Sequence, residues 1–502
     1  MAGLDLLVKN AQIVTPGGTH PGSILVSGGR IVGIEARDEG FSADREIDAR
    51  GRYVIPGLVD PHSHVGGKYA LEQDFRTETP GAAAGGVTTV GLIHGSARAT
   101  WDYKEFVTEE DVTPWSEAYP VAREIGEKTS VVDFFYLPTI TVWKQVEEIP
   151  RLAEEFGFCG YKFYANLKNP ETTNVGEKWK QRMGNPGTWD DGLIYAAFEQ
   201  LGRIGPAGIA LVHNENQEVA AIFKRQLMAK GRKDPQAWTE RSPGWLEAEH
   251  VIRYGKFARE AGVRFYVLHL TSKEGVEACI QAKAEGADIT VETCPHYLTL
   301  TCNDPPGHLL KVNPPIRYEE DNEALWRGIR EGVITCIGTD HVVSSIHEKL
   351  ERGDTADRQT DPKEDIWSTG SGCVGWDTLL PVMLSEGVHK GRITIEKLVE
   401  ICCQNTAKTF GLFPKKGAIQ IGADADLVIL DSDKTQTMRA DMLHSHCDFT
   451  WFEGRELTGW PATTLIRGQV VYDDGKVVGE HGYGQAVARK ADQELYPVEG
   501  AA

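Results

Sequence analysis

Between residues 53 and 339 the chain repeats one pattern eight times, a short apolar run followed by a stretch long enough for a helix. The runs lie at 53–60, 88–93, 130–137, 160–165, 209–213, 264–270, 288–293 and 335–339. Unbroken aliphatic runs suit parallel strands buried on both faces, and eight strand–helix units predict a closed (β/α)8 TIM-like barrel. The flanks read differently. Residues 5–14, 23–35 and 45–54 alternate β-branched and polar side chains between turns such as Gly17-Gly18 and Gly28-Gly29, and strand patterning returns at 425–431 and 463–473 after a helical stretch at 395–410. The two ends therefore predict a small β-sandwich domain split in sequence by the barrel. The expected division of the α/β chain is 1–55 and 415–480 for the sandwich, 56–414 for the barrel and 481–502 for a C-terminal tail. A barrel of roughly 250 residues or more with a small companion accounts for the 502 residues.

Charge narrows the partners. A formal net charge of −20 without any basic run repels nucleic acid and anionic membrane surfaces, so neither is expected as a partner. The nine cysteines form no Cys-x-x-Cys pair, which argues against a four-thiolate zinc site and for reduced thiols in the cytoplasm. Residues 1–12 lack a secretory apolar region, and no run of about 20 apolar residues follows.

Barrel enzymes carry their chemistry at the carboxyl ends of the strands. Here strand one ends in His62-Ser63-His64, strand four contains Lys162, strands five and six end at His213 and His269, and strand eight ends at Asp340. Two histidines two residues apart in extended chain point to the same side and can chelate one cation, or they are two surface histidines at a turn. Lys162, between Tyr161 and Phe163, reads as buried. Its amine either faces a buried carboxylate or, neutral, has taken up carbon dioxide to give a carbamate bridging two metal ions. His213 and His269 are either hydrogen-bonded core residues or ligands of a second cation. Asp340 is a turn aspartate or a carboxylate that binds one cation and takes a proton from attacking water. Two dications balanced by carbamate, aspartate and hydroxide leave one positive charge to polarise a carbonyl and stabilise an oxyanion.

These residues, in this order, resemble the amidohydrolase superfamily, and the surrounding motifs resemble its hydantoinase and dihydropyrimidinase family. The motifs are Pro56-Gly57-Leu58-Val59-Asp60-Pro61-His62-Ser63-His64, Glu292-Thr293-Cys294-Pro295-His296-Tyr297-Leu298, Pro314-Pro315-Ile316-Arg317, Gly422-Ala423-Asp424-Ala425-Asp426 and Glu453-Gly454-Arg455-Glu456-Leu457-Thr458-Gly459-Trp460-Pro461. The resemblance implies ring opening of a small cyclic amide, imide or ureide by a metal-bridging hydroxide. It implies two zinc ions, with manganese or cobalt as alternatives, on His62, His64, His213, His269, Asp340 and carboxylated Lys162. It further implies that Asp340 passes the proton to the leaving nitrogen, and a homotetramer or homodimer.

The pocket departs from the family. The tyrosine expected five residues after the carboxylated lysine is Leu167, with Tyr164 at the place of a pocket aromatic. The family's serine before the double proline, which contacts the ring through its backbone, is Asn313, and a family asparagine contact falls near Ser371. Loops at 94–114, 166–189 and 342–367 look enlarged, so Trp101, Trp115, Trp179 and Trp189 either line a pocket for a larger or aromatic substrate or pack on their own loops. Dihydroorotases and allantoinases commonly hold a carboxylate or ureide with an arginine two residues after the second histidine; here that residue is Gly66. A lactam, carbamate or linear aryl amide is the alternative substrate, and a metal-free scaffold the alternative outside catalysis.

Overall fold

The computed structural model describes residues 3–36, 40–67, 69–95, 112–167, 190–353 and 360–489. Five strands precede the barrel: β1 (Leu4–Thr15), β2 (Gly18–Ser27), β3 (Arg30–Glu35), β4 (Ala43–Asp48) and β5 (Tyr53–Pro56). The barrel strands are β6 (Leu58–His64), β7 (Val87–His94), β8 (Asp133–Pro138), β9 (Gly160–Phe163), β10 (Ile209–Val212), β11 (Arg264–Val267), β12 (Ile289–Thr293) and an eighth in two pieces, β13 (Cys336–Ile337) and β14 (His341–Val342). Parallel pairing runs β6-β7-β8 and β9-β10-β11-β12-β13. The Thr139 to Lys162 bridge joins β8 to β9, and β14 returns to β6 through the register His341 to Ser63, so the barrel closes. The eighth strand breaks at Thr339-Asp340, where Asp340 takes a left-handed φ of 51°.

Both chain ends build the outer domain. β15 (Leu427–Thr437), β16 (Glu456–Ile466), β17 (Gln469–Asp473) and β18 (Lys476–Val477) join β1 to β5 in one nine-stranded sheet, through the antiparallel pairing of β15 with β5. Its own apolar cluster includes Leu6, Val8, Ile24, Ile31, Val54, Leu427 and Leu465. Four expected strands are shorter or divided. The run 23–35 is a hairpin turning at Gly28-Gly29, both with positive φ. The run 45–54 splits into β4 and β5, and 463–473 divides at Arg467-Gly468. The first barrel run is shared: 53–56 belongs to the outer sheet and only Leu58–His64 to the barrel. Gly57 makes that change of sheet possible, because a Cβ there would stand 2.2 Å from Thr88 Oγ1. The expected tail is partly pinned, since Phe134 N donates to Gln485 O at 3.0 Å and Val487 N to Phe134 O at 2.8 Å beneath the barrel.

Candidate metal centre

Two of the βα turns at the mouth are built alike. His213 and His269 each stand three residues before a helix N-cap: Asn216 accepts from Val219 N, and Ser272 accepts from Gly275 N. The cap satisfies an exposed backbone donor of the helix, so the length of chain between ligand and helix is fixed. His269 has φ 38°, as unusual for a side chain of its size as the 51° of Asp340. Such backbone is held by its surroundings, and here those are buried carboxylates. Glu292 Oε1 accepts from His269 N at 3.1 Å, and Asp60 Oδ1 accepts from His62 N at 3.1 Å and from Thr339 N at 3.0 Å. Trp376 Nε1 donates to the other Asp60 oxygen at 2.7 Å, and the Thr339 contact ties strand eight to strand one.

The six expected groups converge. His62 Nε2 and His64 Nε2 lie 3.2 and 3.1 Å from the same oxygen, Asp340 Oδ1. His62 Nε2 makes no hydrogen bond, whereas His64 is hydrogen-bonded to Asp340, so both imidazoles crowd one carboxylate oxygen. Histidines 213 and 269 form a second pair, with Nδ1 of the first 3.0 Å from Nε2 of the second. The His62 and His269 rings stack with centroids 5.2 Å apart, which puts the pairs side by side. The buried Lys162 Nζ has no hydrogen-bond partner among the described residues and sits 4.6 Å from the centre of the Tyr164 ring.

Two carboxylates that sequence reasoning left without a role orient the imidazoles. His62 Nδ1 lies 2.8 Å from Glu292 Oε1, and His213 Nε2 lies 3.2 Å from Glu215 Oε2. A histidine whose rear nitrogen donates to a carboxylate presents its other nitrogen as a lone pair, the arrangement that fixes metal-binding tautomers. Glu292 was visible inside its motif and Glu215 two residues beyond His213, but only coordinates reveal which ring each one faces. Burial pushes the Glu292 carboxyl up to about 8, against the opposing pull of donors including Tyr266 at 2.9 Å. Burial also opposes ionisation of Glu215, yet Arg241, His213 and Ser242 outweigh it and hold that carboxyl down at about 2. Burial lowers all four histidines, His62 to about 4, so they are neutral donors at pH 7. It lowers the Lys162 amine to about 7. For Asp340 burial is again opposed, and His62, His64 and Lys162 keep the carboxyl well below the usual range.

Tyr164 is buried against the Lys162 amine. Asn313 and Ser371 meet, with Asn313 Nδ2 donating to Ser371 Oγ at 3.3 Å. Leu167 ends a short 3-10 turn, Ala165–Leu167. Trp115 is fully buried at the start of the helix Trp115–Thr129, and its indole donates to Thr139 O at 3.1 Å. Trp101, Trp179 and Trp189 lie outside the described residues. Gly66 is required as glycine, since φ is +73° and a Cβ would approach His94 Cε1 to 2.7 Å. A second acidic cluster, Asp133, Asp424 and Asp426, already surrounds a cation. The Lys416 ammonium lies 2.7 Å from Asp426 and 3.0 Å from Asp424 and contacts Asp133 as well, which makes it a structural ion network.

Comparison with known proteins agrees with this geometry. Two models described as "Amidohydrolase family" match residues 45–124 and 258–471. An L-hydantoinase of Paenarthrobacter aurescens is 33% identical over 97% of this chain and 98% of its own length. A D-hydantoinase of Geobacillus stearothermophilus is 31% identical over 97% and 98%. A D-hydantoinase crystal structure superposes with a TM-score of 0.83 at 30% identity, covering 97% of this chain and 99% of the other. The chain belongs to the amidohydrolase superfamily, within its hydantoinase and dihydropyrimidinase family. Its buried histidines, carboxylates and unpartnered lysine fit a binuclear metal site.

Proposed function

We propose that the protein opens a cyclic amide, imide or ureide ring by metal-dependent hydrolysis. The observation that carries this reading is the convergence of His62 and His64 on one oxygen of Asp340, beside the His213–His269 pair and an amine without a hydrogen-bond partner. His62, His64 and Asp340 would hold one dication and His213 and His269 the other, with carboxylated Lys162 shared between them. Zinc suits these neutral imidazoles and carboxylates, and manganese or cobalt are the alternatives. Two such ions would lower the pKa of water and polarise a carbonyl.

The chain's own residues do the rest. Asp340, whose carboxyl His62, His64 and Lys162 hold well below the usual range, accepts the proton of the attacking water and delivers it to the leaving ring nitrogen. Glu292 and Glu215 keep His62 and His213 in the ligating tautomer. Asn313 and Ser371, from loops after β12 and β14, present backbone to the ring, and Tyr164 supplies an aromatic wall. The related proteins are named for either hand of substrate, so this reading extends to ring class and not to stereochemistry. A cytoplasmic homotetramer completes the proposal. The nine cysteines are all buried and free, as a reducing compartment allows, and sedimentation velocity reads the assembly. The same reading assigns residues 56–414 to the catalytic domain. The test is ring opening of hydantoins with growing 5-substituents and of dihydrouracil by metal-loaded protein. Activity should vanish on chelation and return with zinc, and a loaded protein inert towards every ring contradicts the reading. A clear preference for dihydrouracil contradicts the expected larger substrate.

A further inference from the structure

One fully buried guanidinium has no place in the chemistry above. Arg241 follows the helix Pro235–Glu240 in the connection between β10 and β11, with its guanidinium carbon 3.6 Å from the centre of the Trp238 ring. A cation shut away from water is strongly destabilising unless its donors are met. Its two terminal nitrogens are engaged on two sides, while Nε has no hydrogen-bond partner among the described residues. Nη2 lies 3.6 Å from Glu215 Oε1 and donates to Asn313 Oδ1 at 2.8 Å, while Nη1 donates to Gln217 Oε1 at 2.8 Å. Glu215 uses its other oxygen to orient His213, and Asn313 uses its amide nitrogen to reach Ser371. A continuous line of polar contacts therefore runs from one imidazole of the metal pair to the turn on the substrate side.

We infer that Arg241 is a positioning residue that couples the His213 half of the metal centre to the Asn313–Ser371 turn. This rests on the proposed function for the identity of the two ends. A planar fork with five donors can serve acceptors on separate edges at fixed angles, which a lysine ammonium cannot. With Asn313 Oδ1 taken by Arg241, the amide can turn only its nitrogen towards Ser371, so the turn has one orientation. The carboxylate beside the same guanidinium is held in place behind His213. A disturbance at either end thus reaches the other through Arg241.

The test reads zinc release to EDTA from loaded protein, a quantity independent of turnover. Replacing a group behind a ligand typically weakens metal binding about 10–100-fold, so R241K should accelerate release by about tenfold or more. N313A, which touches no ligand, should accelerate release severalfold in the native background and leave it unchanged in R241K, the signature of coupled sites. N313D keeps the oxygen that Arg241 donates to and should release zinc at the native rate, a comparison that stands even if R241K fails to fold. With a ring substrate, R241K and N313A should raise KM more than they lower kcat. Equal effects of N313A in both backgrounds, or release by N313A no faster than native, overturn the coupling. Native protein that binds zinc but opens no ring would overturn the proposed activity alone.

Discussion

At the scale of single residues, Lys162 separates this site from an ordinary buried ion pair. An amine near pKa 7 is half neutral at neutral pH, and only the neutral form takes up carbon dioxide. The amine is charged below that value, so bicarbonate-dependent zinc uptake by stripped protein should rise as pH increases through about 7. Uptake that is flat with pH, or indifferent to bicarbonate, would contradict the carbamate. Lys162→Ala should lose metal and activity together, with partial recovery on adding short carboxylic acids that supply the missing bridge. Glu292→Gln should lower zinc affinity by about 10–100-fold in a chelator competition, and native affinity would show that Glu292 does not orient His62. The sequence displayed the ligands because each ends a strand run or, for Lys162, lies within one. It did not display Glu215, Arg241 or Asp60 as partners, since their roles depend on contacts between residues such as Arg241 and Asn313, far apart in the chain.

At the scale of elements, the barrel strands were legible wherever continuous aliphatic sequence required burial on both faces. β10 and β12 fall within a residue of the expected ends. The outer sheet was legible in kind but not in register: Gly28-Gly29 read as a turn yet lay inside the expected strand 23–35, and the turn at Arg467-Gly468 depends on left-handed backbone that interrupts no hydrophobic pattern. The setting of Trp115 was left open for a related reason: a tryptophan next to a long loop reads the same whether it covers a pocket or anchors a helix. Gly66 illustrates how backbone limits chemistry. Installing the arginine seen in dihydroorotase-like patterns, Gly66→Arg, should destabilise the protein by about 1–3 kcal/mol through the positive φ, before the clash with His94 is added. Thermal denaturation reads this, and an unchanged midpoint with new affinity for carboxylated rings would contradict it.

At the scale of the whole molecule, the outer sheet and barrel are locked by an ion network rather than by apolar packing alone. Lys416 gathers Asp133 from β8 and Asp424 and Asp426 from the approach to β15, and Arg467 also pairs with Asp133. Removing the central cation with Lys416→Met leaves buried carboxylates facing one another, so unfolding free energy in denaturant should fall by about 3–5 kcal/mol. A change within experimental scatter would mean that the sheet docks without it. The network sits at the opposite end of β8 from the mouth, so this variant should retain its metal wherever it remains folded. The barrel thus gathers side chains from strands one, four, five, six and eight at one rim, and the outer sheet stabilises the other. Anomalous diffraction at the zinc edge from crystals grown with zinc tests this most directly. Two peaks a few ångströms apart are expected, one against His62, His64 and Asp340 and one against His213 and His269, with branched density on Lys162 between them. A single peak, none, or a plain amine at Lys162 would contradict the account.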